Sequence, residues 1–401
     1  SRILGLVRDS LFARYIGASF ASDAFLVAFR LPNMFRALFA EGAFASAFIP
    51  MFNHKVADPE GPGLQAGLDF AEQALAVLLP VLLAMTVLLE IFAWPVTFAL
   101  SGKFNGVSHD QFAFAVQLSR LTIPYLMLIS LVSLFGGLLN SLHKFWVNAA
   151  APILLNLTLI VALLVFHHAD PLVTARNQAI AVSVSGLLQL IWLAWACKAN
   201  GVSLKLRRPR FNADVKRLLV LIWPAAMGAG AVQINLVIST ALAASLLAHG
   251  GVTYIYLADR LNQLPLGLIG IGLGTVLLPT ISKQLGGGEE AAAMETQNRG
   301  LELALLLTLP ATVALVVCGE PIAAGLFGYG RFGAVDVRHC AEALAAFSIG
   351  LPSYVLVKVL TPGFYARQDT KTPVRYAMIS MVVNLAGNLA LIVPLQHMGP
   401  P

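Results

Sequence analysis

Apolar residues run along the chain in long blocks, broken by short polar or Gly/Pro-rich stretches. Leu75–Phe98, Ala150–Phe166 and Leu301–Cys318 are examples. A helix needs about 20 predominantly apolar residues to cross a bilayer. The blocks predict helices near 1–17, 22–54, 64–99, 111–142, 147–167, 173–198, 212–248, 252–284, 290–319, 337–366 and 372–394, about eleven spans. Ala57–Gly63, Ser101–Asp110, His167–Pro171, Gly286–Glu290 and Gly328–Gly333 read as the breaks between them. Backbone amides have no water partner in lipid, so a chain of this pattern is expected to be an all-α polytopic membrane protein.

Prolines punctuate the spans at Pro32, Pro124, Pro224, Pro265, Pro279, Pro352 and Pro362. Each removes a helix hydrogen bond and permits a bend. Gly267, Gly270, Gly272 and Gly274 place small residues where helices can approach closely.

Similar patterns recur after roughly 228 residues, a spacing that holds six predicted helices. Phe48-Ile49-Pro50 echoes Leu277-Leu278-Pro279, Phe25–Leu31 echoes Tyr254–Leu261, and Asn156–Ile160 echoes Asn384–Asn388. An even number of spans gives both copies the same orientation, with an axis along the membrane normal and a central cavity between two pseudo-symmetric lobes. Residues 1–200 are expected to form the N-terminal lobe with helices one to six. Residues 201–217 read as a basic cytoplasmic linker and the start of helix seven, and residues 212–401 as a C-terminal lobe with helices seven to eleven. The repeat also makes the chain read as truncated at both ends. About 15–20 residues are expected ahead of residue 1, and at least one further span beyond Pro401.

Composition agrees with lipid as the solvent: 58% of the 401 residues are hydrophobic and 11% charged, against about 25% charged in a soluble domain. The net charge of +6 does not point to nucleic acid, because the cations are placed as loop residues. Lys198, Lys205, Arg207, Arg208, Arg210, Lys216 and Arg217 lie together between two apolar segments. Loop cations concentrate in the even-numbered loops, which predicts those loops and the N-terminus on the cytoplasmic side. Cys197, Cys318 and Cys340 show no metal-ligand spacing or disulfide framework.

Several charges fall within or beside apolar segments: Arg8, Asp9, Asp23, Arg30, Arg36, Glu41, Arg120, Asp259, Arg260 and Lys358. A charge at mid-bilayer costs about 2.5–3.5 kcal/mol on the insertion scale, so such residues face a bundle interior or a wet cavity and mark a substrate or ion path. Arginine suits an anion, since its fork stays charged and donates two parallel hydrogen bonds. Plainer roles stand beside this one. Arg8 with Asp9, and Asp259 with Arg260, make structural ion pairs only if each finds another partner, because adjacent helix positions point apart. Arg30 and Arg36 can snorkel to the interface. Arg120 has polar neighbours, Lys358 sits in an apolar run, and Glu41 adjoins Gly42, where a close-packed helix can bury a hydrogen-bonded carboxyl. The sequence contains no phosphate-binding Walker motif, and its eight histidines form no metal pattern. No nucleophile–base arrangement is readable, so no enzyme activity is expected.

The segments carrying these charges resemble the MurJ (MviN) family of lipid II flippases. The similarity runs through Ser1–Asp9, Asp23–Asn33, Arg36, Phe39–Phe44, Ala258–Leu261 and Pro362–Pro373, and covers essentially the whole chain. The resemblance implies the fold of the multidrug/oligosaccharidyl-lipid/polysaccharide exporter superfamily, two six-helix lobes and a location in the bacterial inner membrane. It implies transport of the lipid-linked peptidoglycan precursor lipid II from the cytoplasmic to the periplasmic leaflet by alternating access. It also implies that Arg8, Arg36 and Arg260 meet the diphosphate and sugar head, with Ser1 and Arg2 close by and Asp9 and Asp23 important. Asp259, Glu41, Lys358 and Arg30 are secondary candidates. Some relatives carry an acid shortly after the Asp-Arg-Leu motif, where this chain has Gln263. Some bind sodium, for which Asn235, Asn384 and Asn388 offer oxygens here, without the carboxylate a hard cation prefers. Coupling to sodium or to protons stays open. The rivals are a drug/cation antiporter of the same superfamily, whose cavity would favour acids and aromatics, and a non-transporting membrane scaffold.

Overall fold

The apolar blocks form helices throughout. A computed structural model describes residues 2–39, 43–57, 63–369 and 371–395, and among them are sixteen α-helices and no strand. In chain order they are α1 (Arg2–Ile16), α2 (Phe20–Phe39), α3 (Ala43–Ala57), α4 (Leu64–Ile91), α5 (Ala93–Ser101), α6 (His109–Thr122), α7 (Pro124–Ser141) and α8 (Phe145–Val165). There follow α9 (Pro171–Ala199), α10 (Ala213–Leu246), α11 (Gly251–Pro265), α12 (Ile271–Gly286), α13 (Glu290–Val317), α14 (Gly319–Phe327), α15 (Ala334–Ala366) and α16 (Lys371–Leu395). A π-helical segment, Leu266–Gly270, joins α11 to α12.

Seven helical stretches among the described residues are long and apolar enough to cross a membrane: 64–91, 109–141, 145–165, 171–199, 251–286, 290–317 and 334–366. The other four predicted spans fall on α1, on α2 with α3, on α10 and on α16. Of these, α1 has only 15 residues and α2 carries Asp23, Arg30 and Arg36. The outer surface is apolar. On α13, Leu306 and Val317 are 69% and 73% exposed, while Ala304 and Thr308 are buried. A helix that is apolar all round and still exposed has lipid for its solvent. Several buried hydroxyls are satisfied within their own helices. Thr86 donates to the Leu82 carbonyl, Ser130 to Leu126, Ser133 to Ile129 and Ser348 to Leu344, at 2.7–2.9 Å.

The repeat reappears in the order and length of the elements. The pair α4 and α5 has 28 and 9 residues, and so has the pair α13 and α14. The short α14 occupies residues that the sequence pattern left unassigned after 319. Ahead of α13 lies an interrupted helix, α11–π–α12, and ahead of α4 lie α2 and α3.

The chain divides into two compact units, 1–249 and 250–401. This boundary falls after α10, which packs on α2, α3, α4 and α5. In the first unit, Phe44, Phe48 and Phe52 stack at successive turns of α3, with centroids 5.2 and 5.9 Å apart, and Phe70 of α4 lies 5.5 Å from Phe48. The i, i+4 spacing puts the three rings on one face, against Gly137 of α7. In the second unit, Ile269, Leu277, Ile281, Ala304, Leu351, Val355 and Val359 form the core between α12, α13 and α15.

Residues 202–212 leave α9 without regular structure, yet they are tied down. Glu72 on α4 is 3% exposed. It accepts the Lys205 backbone N–H at 2.9 Å and Arg207 Nε at 2.5 Å, while Arg207 Nη2 donates to Asp69 at 2.5 Å. Asn212 caps α10 through the Val215 N–H and donates to Gln73, and Lys55 pairs with Asp214 at 3.0 Å. One of the seven clustered cations is therefore used internally, and a buried carboxylate holds the connection against α4.

At the other end, Asp369 accepts the N–H groups of Lys371 and Thr372, at 3.1 and 3.0 Å, where α16 begins. The Thr372 side chain and then these backbone bonds hold the Asp369 carboxyl below its ordinary value.

Replacing Glu72 with Ala is expected to lower the thermal midpoint of the detergent-solubilised protein and to speed tryptic cleavage between Lys205 and Arg210 several-fold, read by mass spectrometry of a digestion time course. An unchanged cleavage rate would show that the carboxylate does not hold the linker. The depressed carboxyl of Asp369 stabilises the fold above the unfolded-state value of about 4 and loses that contribution as pH falls through its lower folded value. Asp369→Asn should thus lower the thermal midpoint at neutral pH, and its deficit should shrink below about pH 4.

Candidate functional site

Apolar helices present the charges singled out above, and each described candidate has a definable environment. On α1, Arg8 is 8% exposed and Asp9 2%. Arg8 Nε and Nη2 donate to Asp9 Oδ1 at 2.9 and 2.6 Å. The ion pair weighed for these two neighbours is present: the long arginine stem curls its guanidinium back to the adjacent short acid. Arg2 is exposed at the start of α1. Ser1 and Glu41 lie outside the described residues.

On α2, Asp23 is buried in the first turn, its N–H donating to the Ser19 carbonyl at 3.1 Å. Ser22 closes the same turn, accepting the Ser19 N–H at 2.9 Å. A negative charge is favoured there by the amides at the helix N-terminus. Arg30 reaches the Leu236 carbonyl of α10 at 3.1 Å, so it makes a helix-to-helix hydrogen bond. Arg36 is half-buried, and its Nε and Nη2 both donate to Asn33 Oδ1, at 3.1 and 3.0 Å. Phe12 of α1 meets Phe25 of α2 at a centroid distance of 5.4 Å, and both helices also pack on α9.

In the second unit, Arg260 is half-buried on α11. Its Nη2 donates to the Tyr256 hydroxyl at 3.1 Å, and its Cζ lies 5.0 Å from the centre of the Tyr256 ring. Asp259 accepts from Gln263 Nε2 at 2.5 Å. The residue that departs from an acid in some relatives thus binds the neighbouring acid. Six residues after Arg260 the helix changes to π geometry, directly behind Pro265. Such segments relieve a disturbed hydrogen-bond ladder and are frequent at functional sites. Gly270 and Gly274 then pack on α15 at Lys358. A Cβ on Gly270 would meet the Lys358 side chain at 3.5 Å, and one on Gly274 the Lys358 carbonyl oxygen at 3.2 Å. Gly272 faces open space. Lys358 itself is exposed and marks where two helices touch by backbone.

Asn235 lies in the first unit. Asn384 and Asn388 lie in the second, where Asn388 Nδ2 donates to Asn384 Oδ1 at 3.1 Å. Among the described residues no group of three or more His, Cys, Asp or Glu side chains is placed to hold a metal. The three asparagines offer neutral side-chain oxygens, without the carboxylate that a hard cation prefers.

Asn33, Tyr256 and Glu72 did not stand out in the sequence. The first two were legible as polar or aromatic residues three or four positions before an arginine on the same helix. Glu72 was legible as a carboxylate at the edge of an apolar run.

A family model described as "Lipid II flippase MurJ" matches residues 12–400. The chain belongs to the MurJ lipid II flippase family. A relative from Rhizobium tropici named "Probable lipid II flippase MurJ" is 42% identical over 403 residues, spanning 100% of this chain and 74% of the relative. A solved structure described as "Lipid II flippase MurJ, inward closed conformation" superposes with a TM-score of 0.83 at 26% identity, covering 100% of this chain and 80% of that one. An inward-facing multidrug resistance MATE family transporter of the MOP superfamily superposes with a TM-score of 0.67 at 16% identity, covering 99% of this chain and 96% of that one, and shares the fold. Membership of the MurJ family places the chain in the membrane as a multi-pass protein.

Gly274→Val is expected to destabilise the solubilised protein by about 1–3 kcal/mol, because the backbone of α15 at Lys358 leaves no room for a side chain. A thermal midpoint equal to that of the unaltered protein would disprove the close approach.

Proposed function

We propose that the protein flips lipid II from the cytoplasmic to the periplasmic leaflet of the bacterial inner membrane, and that Arg8, Arg36 and Arg260 receive the diphosphate of the head group. The reading is supported by one observation: in a chain of this family, three arginines on α1, α2 and α11 each contact a side chain of their own helix. A guanidinium kept away from bulk water is costly unless it serves a purpose, and a diphosphate supplies the matching charge and geometry. Holding the side chains in advance lowers the entropy lost when the anion arrives.

Alternating access follows from the cargo. The head group is too polar to cross hydrocarbon, so it must be sheltered while the polyprenyl tail stays in lipid. Exposure of the arginines to one leaflet at a time gives net movement without a chemical step, and the protein is a carrier, not an enzyme. The excess of cations in the even-numbered loops supports a cytoplasmic N-terminus. Resetting of the empty carrier draws on the membrane potential or a proton or sodium gradient. Of these, sodium has no charged ligand among Asn235, Asn384 and Asn388.

In the intact protein, Arg8→Ala, Arg36→Ala and Arg260→Ala should each abolish complementation of a flippase-depleted strain at normal expression. Each should leave lipid II inaccessible at the outer leaflet after rapid inactivation of the resident flippase. Full activity of all three variants would refute the head-group assignment, and unchanged leaflet accessibility on loss of the protein would refute flipping.

A further inference from the structure

We infer that the cleft between α5 and α6 binds one anionic glycerophospholipid, with an acyl chain on Trp94, Phe98 and Phe112 and the phosphate at Lys103 and His109. The site uses none of the arginines assigned to lipid II. These five residues line most of a cavity of about 270 Å³. Trp94 and Phe98 are one turn apart on α5 and share a face, as do His109 and Phe112 at the start of α6. The Trp94 ring meets His109 at a centroid distance of 5.1 Å and Phe112 edge-on at 4.9 Å. The cleft is built in advance. Gly102 and Gly106 have φ of 59° and 68°, a left-handed backbone that glycine adopts without steric cost. The turn they make buries Phe104, and the Asn105 N–H donates to the Ala244 carbonyl of α10 at 3.1 Å. Thr97 Oγ1 donates to Ser119 Oγ at 2.8 Å and ties α5 to α6.

Two features point to a lipid as the occupant. The first is continuity with the lipid-facing surface. Exposed apolar side chains run from Val87, Leu88 and Ile91 on the span 64–91 to Trp94 and Phe98, which are 40% and 52% exposed. An acyl chain lying along α4 reaches the cleft without leaving apolar surface, and a tryptophan at a span end sits at head-group level. The second is an uncompensated cation at the rim. Among the described residues the Lys103 side chain makes no ion pair or hydrogen bond, and Asp110, the nearest acid in the chain, makes no ion pair and does not line the cavity. The lysine stem can lie on apolar surface while its ammonium reaches the phosphate. A zwitterionic lipid brings its own cation to that phosphate, whereas an anionic lipid leaves the place to Lys103.

Tryptophan quenching by brominated lipid tests the site, because bromine on an acyl chain quenches a ring it touches. The full-length protein is placed in nanodiscs of fixed phosphatidylglycerol and phosphatidylcholine content, with bromine on one lipid and then on the other. Trp94 is read alone, with every other tryptophan replaced by Phe, or by difference from W94F where that variant folds poorly. Relative affinity at Trp94 should favour phosphatidylglycerol about fivefold, the effect of one cation near a membrane surface. K103Q should remove most of that preference and K103R should keep it, both with an unchanged thermal midpoint, since the Lys103 side chain makes no internal contact. Equal quenching by the two lipids in the unaltered protein would show that Trp94 faces bulk lipid and would overturn the inference. A preference that survives K103Q/H109Q would overturn the phosphate assignment, and weak quenching by both lipids would show a cleft closed to acyl chains. Inorganic phosphate that shifts Trp94 emission in detergent and abolishes the lipid preference would make the cleft a site for a free anion and overturn the lipid as its occupant.

Discussion

Hydrocarbon offers no hydrogen bonds, and most features of the molecule answer that one constraint. Backbone amides are satisfied inside helices, which is why the described chain holds helices and no strand. Buried serine and threonine hydroxyls turn back to carbonyls one turn earlier. The same demand extends to charge. Arg8 lies on Asp9, Arg36 on Asn33, Arg260 on Tyr256, and Arg30 on a carbonyl of α10. Each solution is local or one helix away.

Those contacts differ in chemistry: Asp9 meets Arg8 with a carboxylate, Asn33 meets Arg36 with an amide oxygen, and Tyr256 meets Arg260 with its hydroxyl and ring. The second unit adds a structural element near Arg260, the π segment between α11 and α12, and just beyond it Gly274 brings the backbone of α12 close to that of α15. Residues that close-pack by backbone leave little room for adjustment, so the ladder disturbance behind Pro265 is accommodated within the helix that carries the arginine.

The basic connection after α9 shows how one cation in a cluster takes a separate task. Positive charge at 198–217 fits a cytoplasmic loop in bulk. Only Arg207, with the backbone of Lys205, engages the buried Glu72 and neighbouring Asp69. Residues 202–212 are thereby fixed along α4, and α10 continues on the first unit as a packed helix.

Much of the design was legible in the chain by itself. Apolar blocks of span length, few charges, and proline and glycine at the breaks determine a helical membrane protein, because the solvent permits no other backbone. The repeat was readable from Pro50 against Pro279 and reappears as helices of 28 and 9 residues in both copies. The arginines announced themselves by their cost in lipid. Side-chain partners were not legible, since they depend on rotamers and on helices distant in sequence. Arg8 pairs with the residue beside it, Lys358 marks a backbone contact with Gly274, and α10 packs on α2, α3, α4 and α5. Sequence specifies which groups must be satisfied. Three-dimensional packing alone decides which neighbour does so, because several partners are chemically adequate and only one is within reach.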